Sequence, residues 1–297
     1  MKIVVLGATG MLGNAVVRVM AENAEHDVVG LSRSPGAARF FPEATCATFA
    51  AGFDAESDQS LLRLFDCHRP DIVINCVGLV KQLASADQVL DAVPINALLP
   101  HRLAQLSRLS GARFVHISTD CVFNGKRGNY AEHDQPDALD LYGTSKRWGE
   151  VVDQEDAITL RTSIIGHELT TAHSLLGWFL AQAGPVRGFS RAIFSGLPTA
   201  ELARVIRDFV LPRPDLHGLY HVSAEPIDKL TLLKLFAAEY GHAVEIVPDD
   251  KLVIDRSLDS TRFREATGYA PRDGLIWSLR CGALDKPSRK DCVSCCA

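Results

Sequence analysis

The sequence has no long apolar run and no excess of positive charge, and both absences narrow the classes of protein it can represent. No uninterrupted apolar stretch reaches the roughly 18 residues that a membrane-spanning helix requires. The formal net charge of −5 provides no attraction for nucleic acid or an anionic membrane. The apolar N-terminal residues 1–6 are followed at once by Gly7, which is typical of a buried strand and not of a signal peptide. We therefore expect no nucleic-acid or membrane partner.

Cysteines at the regular spacing of a metal site are absent from the first half of the chain. Four of the eight cysteines are scattered there: Cys46, Cys67, Cys76 and Cys121. The other four crowd the C-terminus: Cys281, Cys292, Cys295 and Cys296. The scattered set indicates reduced thiols in a cytoplasmic protein. The crowded set could bind zinc or form redox cross-links, but its short polar surroundings favour a disordered tail over residues 285–297.

The histidines do not supply a metal site either. Only His217 and His221 stand four residues apart, a spacing that could hold one ion on a helix. The residues between them predict a strand, in which four residues span roughly 13 Å. That distance is too long for one ion, so no metal site is predicted.

The first ~160 residues alternate short apolar runs with helix-length amphipathic runs, which predicts βαβ units and a parallel sheet. Strands are predicted at residues 3–6, 28–31, 45–49, 71–75, 113–117 and 157–161. Helices are predicted at residues 11–24, 61–66, 87–110 and 141–152. Pro94 and Pro100 should bend or break the third helix. We therefore predict an α/β fold with a Rossmann-type, doubly wound domain over residues 1–162.

After residue 162 the alternation becomes irregular, and the second half is too short and broken for another Rossmann domain. Helices are predicted at 199–210, 229–240, 260–267 and 274–283, and strands at 218–222 and 244–247. Thr199 is expected to be an N-cap, and Gly241 to end its helix. We predict a smaller substrate-binding lobe over residues 163–284, with some segments returning to the main sheet.

Three glycines lie between the first predicted strand and the first predicted helix, at Gly7, Gly10 and Gly13. Such glycines make a tight turn, admit a pyrophosphate to backbone N–H groups and let the helix pack on the strand. The helix N-terminus then faces the anion with its positive dipole end. The spacing is G-x-x-G-x-x-G, and an ordinary turn is the alternative. We predict that a dinucleotide binds the following residues: Gly7, Thr9, Gly10, Met11, Leu12 and Gly13.

The end of the second predicted strand distinguishes between the two nicotinamide dinucleotides. Proteins that use NAD tend to place an acidic residue there for the ribose 2′-hydroxyl. This chain has Ser32 and Arg33 instead, and a guanidinium pairs well with a 2′-phosphate. A solvated surface charge is the alternative for Arg33, and Asp54 is a candidate partner for the adenine amino group. We predict NADP(H) as the cofactor, with NAD(H) as the alternative.

Tyr142 and Lys146 form a Y-x-x-x-K at the start of a predicted helix, so that they share one helix face. An ammonium near a phenol stabilises the phenolate and lowers the tyrosine pKa from its ordinary value of about 10. Such a tyrosine can serve as an acid or base at a carbonyl or alcohol. Ser118 and Thr119 end the fifth predicted strand, where a hydroxyl can reach the substrate oxygen, or merely cap a turn.

Together these motifs resemble the extended short-chain dehydrogenase/reductases, and most closely their dTDP-4-dehydrorhamnose reductase group. Residues 118–125 read S-T-D-C-V-F-N-G, residues 130–132 read Y-x-E, and residues 142–150 read Y-G-x-S-K-x-x-G-E. These are similar to that group's S-T-D-Y-V-F-x-G, Y-x-E and Y-G-x-S-K-x-x-G-E. The resemblance covers at least residues 1–165 and extends more loosely to about residue 280.

The resemblance implies catalytic roles for four residues. Tyr142 would be the general acid, and Lys146 would bind the nicotinamide ribose and tune Tyr142. Thr119, with Ser118 beside it, would complete the triad. The implied reaction is NADP(H)-dependent reduction of a keto group on a nucleotide-linked deoxysugar.

The resemblance also implies cofactor contacts beyond the glycine loop. Cys76, Val77 and Gly78 match a segment that lines the cofactor after the fourth strand. Asn96 matches a polar helix residue that supports the active site. Relatives often form homodimers through paired helices, which makes a homodimer an expectation by analogy.

Departures from that group's pattern bear on the identity of the sugar and not on the redox chemistry; one is a slightly shorter loop between Thr119 and Tyr142. Cys121 stands where the reductases usually have Tyr, and residues 79–82 differ from their usual sequence. Related dehydratases carry T-D-E, and a thiol at position 121 could not simply replace that carboxylate. A nucleotide-sugar epimerase would use the same triad. The resemblance also extends to the regulatory subunit of methionine adenosyltransferase, a non-catalytic NADP-binding protein, but such a subunit would not need the acid/base pair.

Overall fold

The computed structural model describes residues 1–79 and 87–271. In its first half, strands and helices alternate. The strands are β1 (Lys2–Leu6), β2 (Asp27–Ser32), β3 (Ala47–Ala51), β4 (Ile72–Asn75), β5 (Arg113–Thr119) and β6 (Ala157–Thr162). The helices are α1 (Met11–Met20), α2 (Asp58–His68), α3 (Val89–Ala92), α4 (Leu99–Leu109) and α5 (Leu141–Trp148). A π-helical segment, Val93–Leu98, joins α3 to α4, and single 3₁₀ turns occupy Ala37–Phe40 and Asp120–Val122.

The second half contains shorter elements. Its strands are β7 (Ile164–Ile165), β8 (Val186–Phe189), β9 (Ala192–Phe194), β10 (Leu197–Pro198), β11 (Gly218–His221), β12 (Ile227–Asp228), β13 (Ile246–Asp249) and β14 (Ile254–Asp255). Its helices are α6 (Leu175–Leu180), α7 (Thr199–Val205), α8 (Lys229–Tyr240) and α9 (Thr261–Thr267). A second π-helical segment, Ile206–Val210, extends α7.

Seven parallel strands form the central sheet, in the order β11-β6-β5-β4-β1-β2-β3. This order confirms the predicted Rossmann-type fold. The chain runs outward from β1 to β3 and then crosses back to β4, on the other side of β1. Ligands of such sheets bind in the crevice at this reversal, beyond the carboxyl ends of the strands. The seventh strand, β11, comes from the second half and pairs with β6.

The strands are apolar on both faces because helices cover both. Ile3 and Val5 of β1 belong to the core that includes α1 and α7, whereas Val4 and Leu6 belong to the core that includes α2 and α4. Successive side chains of a strand point to opposite faces, which explains this alternation. All four side chains are fully buried. A strand covered on both faces holds the end of β1, and hence the glycine loop, in a fixed position.

Several predicted boundaries were wrong. Helix α1 ends at Met20, not at residue 24, because the Asn23 side chain accepts a hydrogen bond from Glu25 N in a local turn that competes with the helix. Thr199 is the first helical residue of α7 and not its N-cap, since Pro198 occupies the cap. Strand β13 lies two residues later than predicted, at Ile246–Asp249.

The prolines at 94 and 100 do not break the helix, because the π-helical segment accommodates the missing N–H of Pro94. Sequence analysis missed α6, a single short helix that Ser174 caps. The predicted helix at 274–283 and the cysteine-rich tail lie outside the described residues. In the part of the chain that the structure describes, no helix is long and apolar enough to cross a membrane.

Candidate active site

The sequence-predicted site residues lie around one edge of the central sheet. Strands β1, β4, β5 and β6 run parallel and end there, with Leu6 paired to Asn75 and Thr119 paired to Thr162. The glycine loop therefore follows β1 at the same edge as the polar end of β5. The two motifs lie more than a hundred residues apart in sequence, and the parallel sheet brings them together.

The glycine loop has the geometry of a dinucleotide turn. Gly7 adopts a φ of +74°, in the left-handed region that glycine tolerates. A Cβ on Gly13 would lie 2.0 Å from the Gly7 carbonyl oxygen, so only glycine lets α1 pack this closely. Helices α2, α5 and α8 each have a side-chain N-cap, but α1 starts after Gly10 without one. Its first N–H groups are therefore suited to an anion, and a pyrophosphate fits this loop.

Three further candidates for cofactor contacts lie at the ends of β2 and β3: Ser32, Arg33 and Asp54. Arg33 is exposed, and its carbonyl oxygen accepts a hydrogen bond from Gly52 N at 3.2 Å. Ser32 is buried, and its hydroxyl donates to the Ser34 carbonyl at 2.9 Å. Asp54 is also exposed, with Oδ1 accepting from Glu56 N. The guanidinium of Arg33 and a carboxylate oxygen of Asp54 thus face solvent, while the Ser32 hydroxyl is already engaged.

The segment after β4 lies between the glycine loop and α5, the helix that carries Tyr142 and Lys146. A Cβ on Gly7 would lie 3.0 Å from the Cys76 carbonyl oxygen. Two residues further on, a Cβ on Gly78 would lie 3.5 Å from Asn96 Oδ1 and 3.8 Å from Lys146 Nζ. Small residues in this segment therefore leave a path from the loop, past Val77, to Lys146.

Asn96 holds this path in place from the π-helical segment. Its Oδ1 accepts from Leu79 N at 2.9 Å, and its Nδ2 donates to Leu79 O and to Ser145 Oγ. A Cβ on Gly149 would lie only 2.0 Å from the Asn96 carbonyl oxygen, so α5 and the π-helical segment are in backbone contact there. Asn96 is 1 % exposed, and its role in this structure is to join Leu79 to α5.

Tyr142 lies in the first turn of α5, which begins where Asp140 caps Gly143 N at 2.8 Å. Burial raises the pKa of Tyr142, and the neighbouring Cys121 adds to this, whereas the hydrogen bond with Thr119 lowers it. The net direction is upward, so the expected lowering of this pKa is not found. Desolvation of the phenolate outweighs the hydrogen bond. The phenol is consequently held in its proton-donating form.

Lys146 lies one helical turn after Tyr142 and is 5 % exposed. Its ammonium donates to the Ile117 carbonyl oxygen at 2.8 Å. Burial lowers the pKa of Lys146 to about 8, although Glu150 and Cys76 act in the opposite direction. Below pH 8 or so, the Lys146 side chain is therefore a buried cation close to Gly78.

Ser118 and Thr119 differ in what their hydroxyls contact. Thr119 acts on Tyr142 by lowering its pKa, and its hydroxyl donates to Asp120 Oδ1 at 3.2 Å. The Ser118 hydroxyl instead donates to Glu150 Oε1 at 2.7 Å, in a buried position. The structure therefore brings Thr119 together with the tyrosine and directs Ser118 to a buried carboxylate.

Sequence analysis missed three charged residues near this site. Asp120 is 7 % exposed, and burial raises its pKa, while the charge of Arg256 lowers it. Lys229 begins α8, and the charges of Asp120 and Arg256 both act on it. Arg256 Nε donates to the Phe123 carbonyl oxygen at 2.8 Å. Both cations come from the second half of the chain, without local motifs that could reveal them.

Within residues 1–79 and 87–271, no cluster of three or more His, Cys, Asp and Glu side chains could hold a metal ion.

The fold and the site together define a Rossmann-type α/β protein with a glycine loop, a Tyr/Lys pair and a threonine hydroxyl at one sheet edge. The model of one protein family, the RmlD substrate binding domain, matches residues 1–248. The chain belongs to this family.

Named relatives match different parts of the chain. dTDP-4-dehydrorhamnose reductase of Aggregatibacter actinomycetemcomitans is 24 % identical over 92 % of this chain and 95 % of its own. The spore coat polysaccharide biosynthesis protein SpsK of Bacillus subtilis is 29 % identical over 75 % of this chain and 73 % of its own. Methionine adenosyltransferase 2 subunit beta of Xenopus tropicalis is 30 % identical, but only over 54 % of this chain and 46 % of its own.

Solved structures show the same fold. The crystal structure of dTDP-4-dehydrorhamnose reductase from Bacillus anthracis, in complex with NADP, superposes with a TM-score of 0.74 at 22 % identity. The match covers 94 % of this chain and 97 % of that one. Its extent includes both the Rossmann domain and the second half.

Proposed function

We propose that this protein is an NADP(H)-dependent oxidoreductase that reduces a keto group on a nucleotide-linked deoxysugar. One observation carries the proposal: the Tyr142 phenol, with Thr119 acting on it, lies one helical turn from Lys146 in α5, at the sheet edge where the glycine loop opens. A dinucleotide bound along that edge would place its nicotinamide beside this pair. The family and the relative that matches almost the whole chain are consistent with this reaction.

The cofactor would extend along the sheet edge. Its pyrophosphate would lie at the glycine loop, against the uncapped start of α1. Arg33 would pair with the 2′-phosphate, and Asp54 would accept a hydrogen bond from the adenine. Val77 and Gly78 would line the path to Lys146, which would bind the nicotinamide ribose. Bound NADPH supplies the hydride, and NAD(H) remains the alternative cofactor.

The residues of the chain would complete the reduction. Tyr142 donates its phenolic proton to the carbonyl oxygen as that oxygen gains negative charge. Thr119 hydrogen-bonds the same oxygen and orients it toward the phenol. The positive charge of Lys146 stabilises the phenolate that remains. Ser118, engaged with Glu150, holds the end of β5 and does not reach the substrate.

The second half would bind the substrate, as a lobe covering residues 163–284. Lys229 and Arg256 belong to this half, and their charges act on Asp120, which directly follows β5. Ammonium and guanidinium groups near a sugar site favour a substrate that carries phosphate. A nucleotide diphosphate attached to the sugar satisfies this requirement.

A non-catalytic NADP-binding subunit is the second candidate, because a methionine adenosyltransferase regulatory subunit matches half of the chain. The half-buried Tyr142 and the buried Lys146 argue against it, since a binding subunit has no use for a proton donor beside a buried cation. The purified protein should be given NADPH and a dTDP- or UDP-linked 4-keto-6-deoxysugar. Stoichiometric oxidation of the nicotinamide supports the reductase. Sugar isomerisation without net oxidation indicates an epimerase, and tight binding without turnover indicates the subunit.

A further inference from the structure

Four buried polar side chains form a brace beneath the Tyr/Lys pair: Ser118, Glu150, Arg161 and His221. Glu150 accepts one hydrogen bond from Ser118 Oγ and two from the Arg161 guanidinium, each at 2.7 Å. The side chains of this ion pair are only 5 % and 4 % exposed. A buried carboxylate with three short hydrogen bonds is held in one geometry.

Each end of the brace lies next to an element that carries residues of the proposed reaction, β5 or α5. Ser118 directly precedes Thr119 in β5, and Glu150 follows Lys146 by four residues, just beyond the end of α5. The Ile117 carbonyl, next to Ser118, accepts the hydrogen bond from Lys146. Any movement of Glu150 would therefore displace the end of β5 and the end of α5 relative to each other.

His221 extends the brace to the loop that connects Thr119 to Tyr142. Its Nδ1 lies 2.9 Å from the Tyr130 carbonyl oxygen, which only accepts, so Nδ1 carries the proton. Nε2 is then the acceptor for Arg161 Nη1, at 3.3 Å. Burial lowers the pKa of His221 to about 3, and the imidazole stays neutral near pH 7. The brace thus has one buried anion and one buried cation.

Glu150 is the charged group that opposes deprotonation of Lys146. Two other titratable groups surround this ammonium: Cys76, after β4, and His116, in β5. Burial raises the pKa of Cys76 to about 12 and lowers that of His116 well below its ordinary value, so both are neutral between pH 7 and 9. Burial alone favours the neutral amine of Lys146, and the Glu150 carboxylate counteracts it.

We propose that Glu150 is a positioning residue: through the brace it fixes the Lys146 ammonium beside Tyr142 and keeps it charged at the pH of turnover. This inference rests on the proposed reductase function. Loss of the carboxylate would let Lys146 deprotonate at lower pH. Because the charged form is the active one, activity would then decline at lower pH than in the wild type.

The test compares the pH profiles of kcat for Glu150→Gln and the wild type. We expect the alkaline decline to move down by about one pH unit, with KM for the sugar unchanged. Glu150→Asp keeps the charge at a shorter reach, so it should keep the position of the decline while lowering kcat. Glu155→Gln, an exposed neighbour, is the matched control and should superimpose on the wild type.

A second variant keeps the test decisive if Glu150→Gln fails to fold, since it leaves Arg161 buried without its anion. Glu150→Gln/Arg161→Gln removes both charges, so it should fold, and it should show a smaller downward shift because loss of the Arg161 cation offsets part of the loss of the anion. Unchanged pH profiles in the folded double variant would overturn the proposal, because the brace would then be structural only.

The pH dependence of the NADPH dissociation constant, measured by fluorescence, separates this inference from the proposed function. Lys146 would touch the bound nicotinamide ribose, so the double variant should lose affinity between pH 7 and 9 more steeply than the wild type. If no protein turns over any keto-sugar, the proposed function fails. This binding difference would then still support the brace, and its absence would refute it.

Discussion

Two opposing effects act on the pKa of the Tyr142 phenol. Burial raises its pKa, and Thr119 lowers it without reversing the direction. The result suits a residue that must deliver a proton to a reduced carbonyl. The Thr119 hydroxyl should therefore matter more for turnover than for cofactor binding.

Replacement of Thr119 by valine should lower kcat by roughly 100-fold, since the substrate oxygen loses a hydrogen bond and its orientation. NADPH affinity should stay within about twofold of the wild type, because the threonine is not part of the nucleotide path. Steady-state kinetics and a binding titration measure the two quantities. The control is Thr144→Val, which removes a hydroxyl that donates to the Ala138 carbonyl. Equal losses in both variants would contradict the role given to Thr119.

Arg33 is expected to select the phosphorylated cofactor. Arg33→Ala should weaken NADPH binding by about 10-fold or more, the equivalent of one charge-assisted hydrogen bond, and leave NADH binding unchanged. Calorimetry with both nucleotides measures the difference. The matched control is Arg39→Ala, another exposed arginine of the same connection. A parallel loss for both nucleotides would mean that Arg33 does not contact the 2′-phosphate.

At the scale of elements, the contact between α5 and the π-helical segment positions the catalytic helix. Gly149→Ala should destabilise the protein by about 2 kcal/mol or more, because the added methyl group overlaps the Asn96 carbonyl. Gly184→Ala, at a site with no atom within 4 Å of the new Cβ, should be close to neutral. Urea unfolding compares the two. Similar stabilities would show that α5 can shift at little cost.

The elements that sequence analysis identified correctly are those with strong local signals. The apolar run of β4 and the Gly-rich start of α1 each follow from neighbouring residues. The π-helical segment could not be predicted, since its geometry depends on how Asn96 and Gly149 meet across two helices. The end of α1 was misjudged because a side-chain turn at Asn23 overrides helical spacing.

The site residues that could be predicted are likewise those with strong local sequence signals. Tyr142, Lys146 and the glycine loop belong to contiguous motifs, and the structure places them at one edge of the sheet. Lys229 and Arg256 approach residues 120–123 only because the second half of the chain folds back over this segment. No pattern in their local sequence reports that contact. The hydrogen bond from Ser118 to Glu150 could not be predicted for a similar reason, since the two residues lie 32 positions apart in the sequence.

At the scale of the whole molecule, buried neutral histidines make stability depend on pH. The pKa of His221 is lowered from 6.5 to about 3, so the unfolded chain binds a proton that the folded chain excludes. Stability should therefore fall as pH decreases below about 6.5, by about 2 kcal/mol per such residue by pH 5. His116 acts in the same direction.

Thermal unfolding between pH 7 and 5 should show this decrease, and His221→Asn should show a smaller one. An asparagine can still donate to the Tyr130 carbonyl but does not titrate. His133→Asn, at an exposed position, should keep the full wild-type slope. Identical slopes for all three proteins would indicate that other groups control acid sensitivity.

Whether the protein is a reductase with Tyr142 as its proton donor is tested most directly by a single-turnover reaction. The NADPH-bound wild type and Tyr142→Phe are each mixed with a dTDP-linked 4-keto-6-deoxysugar. We expect both proteins to bind NADPH equally, by calorimetry, and only the wild type to oxidise it at an appreciable rate. Oxidation at the same rate in Tyr142→Phe would contradict the proton-donor role. A wild type that binds NADPH tightly and never oxidises it would contradict the reductase itself.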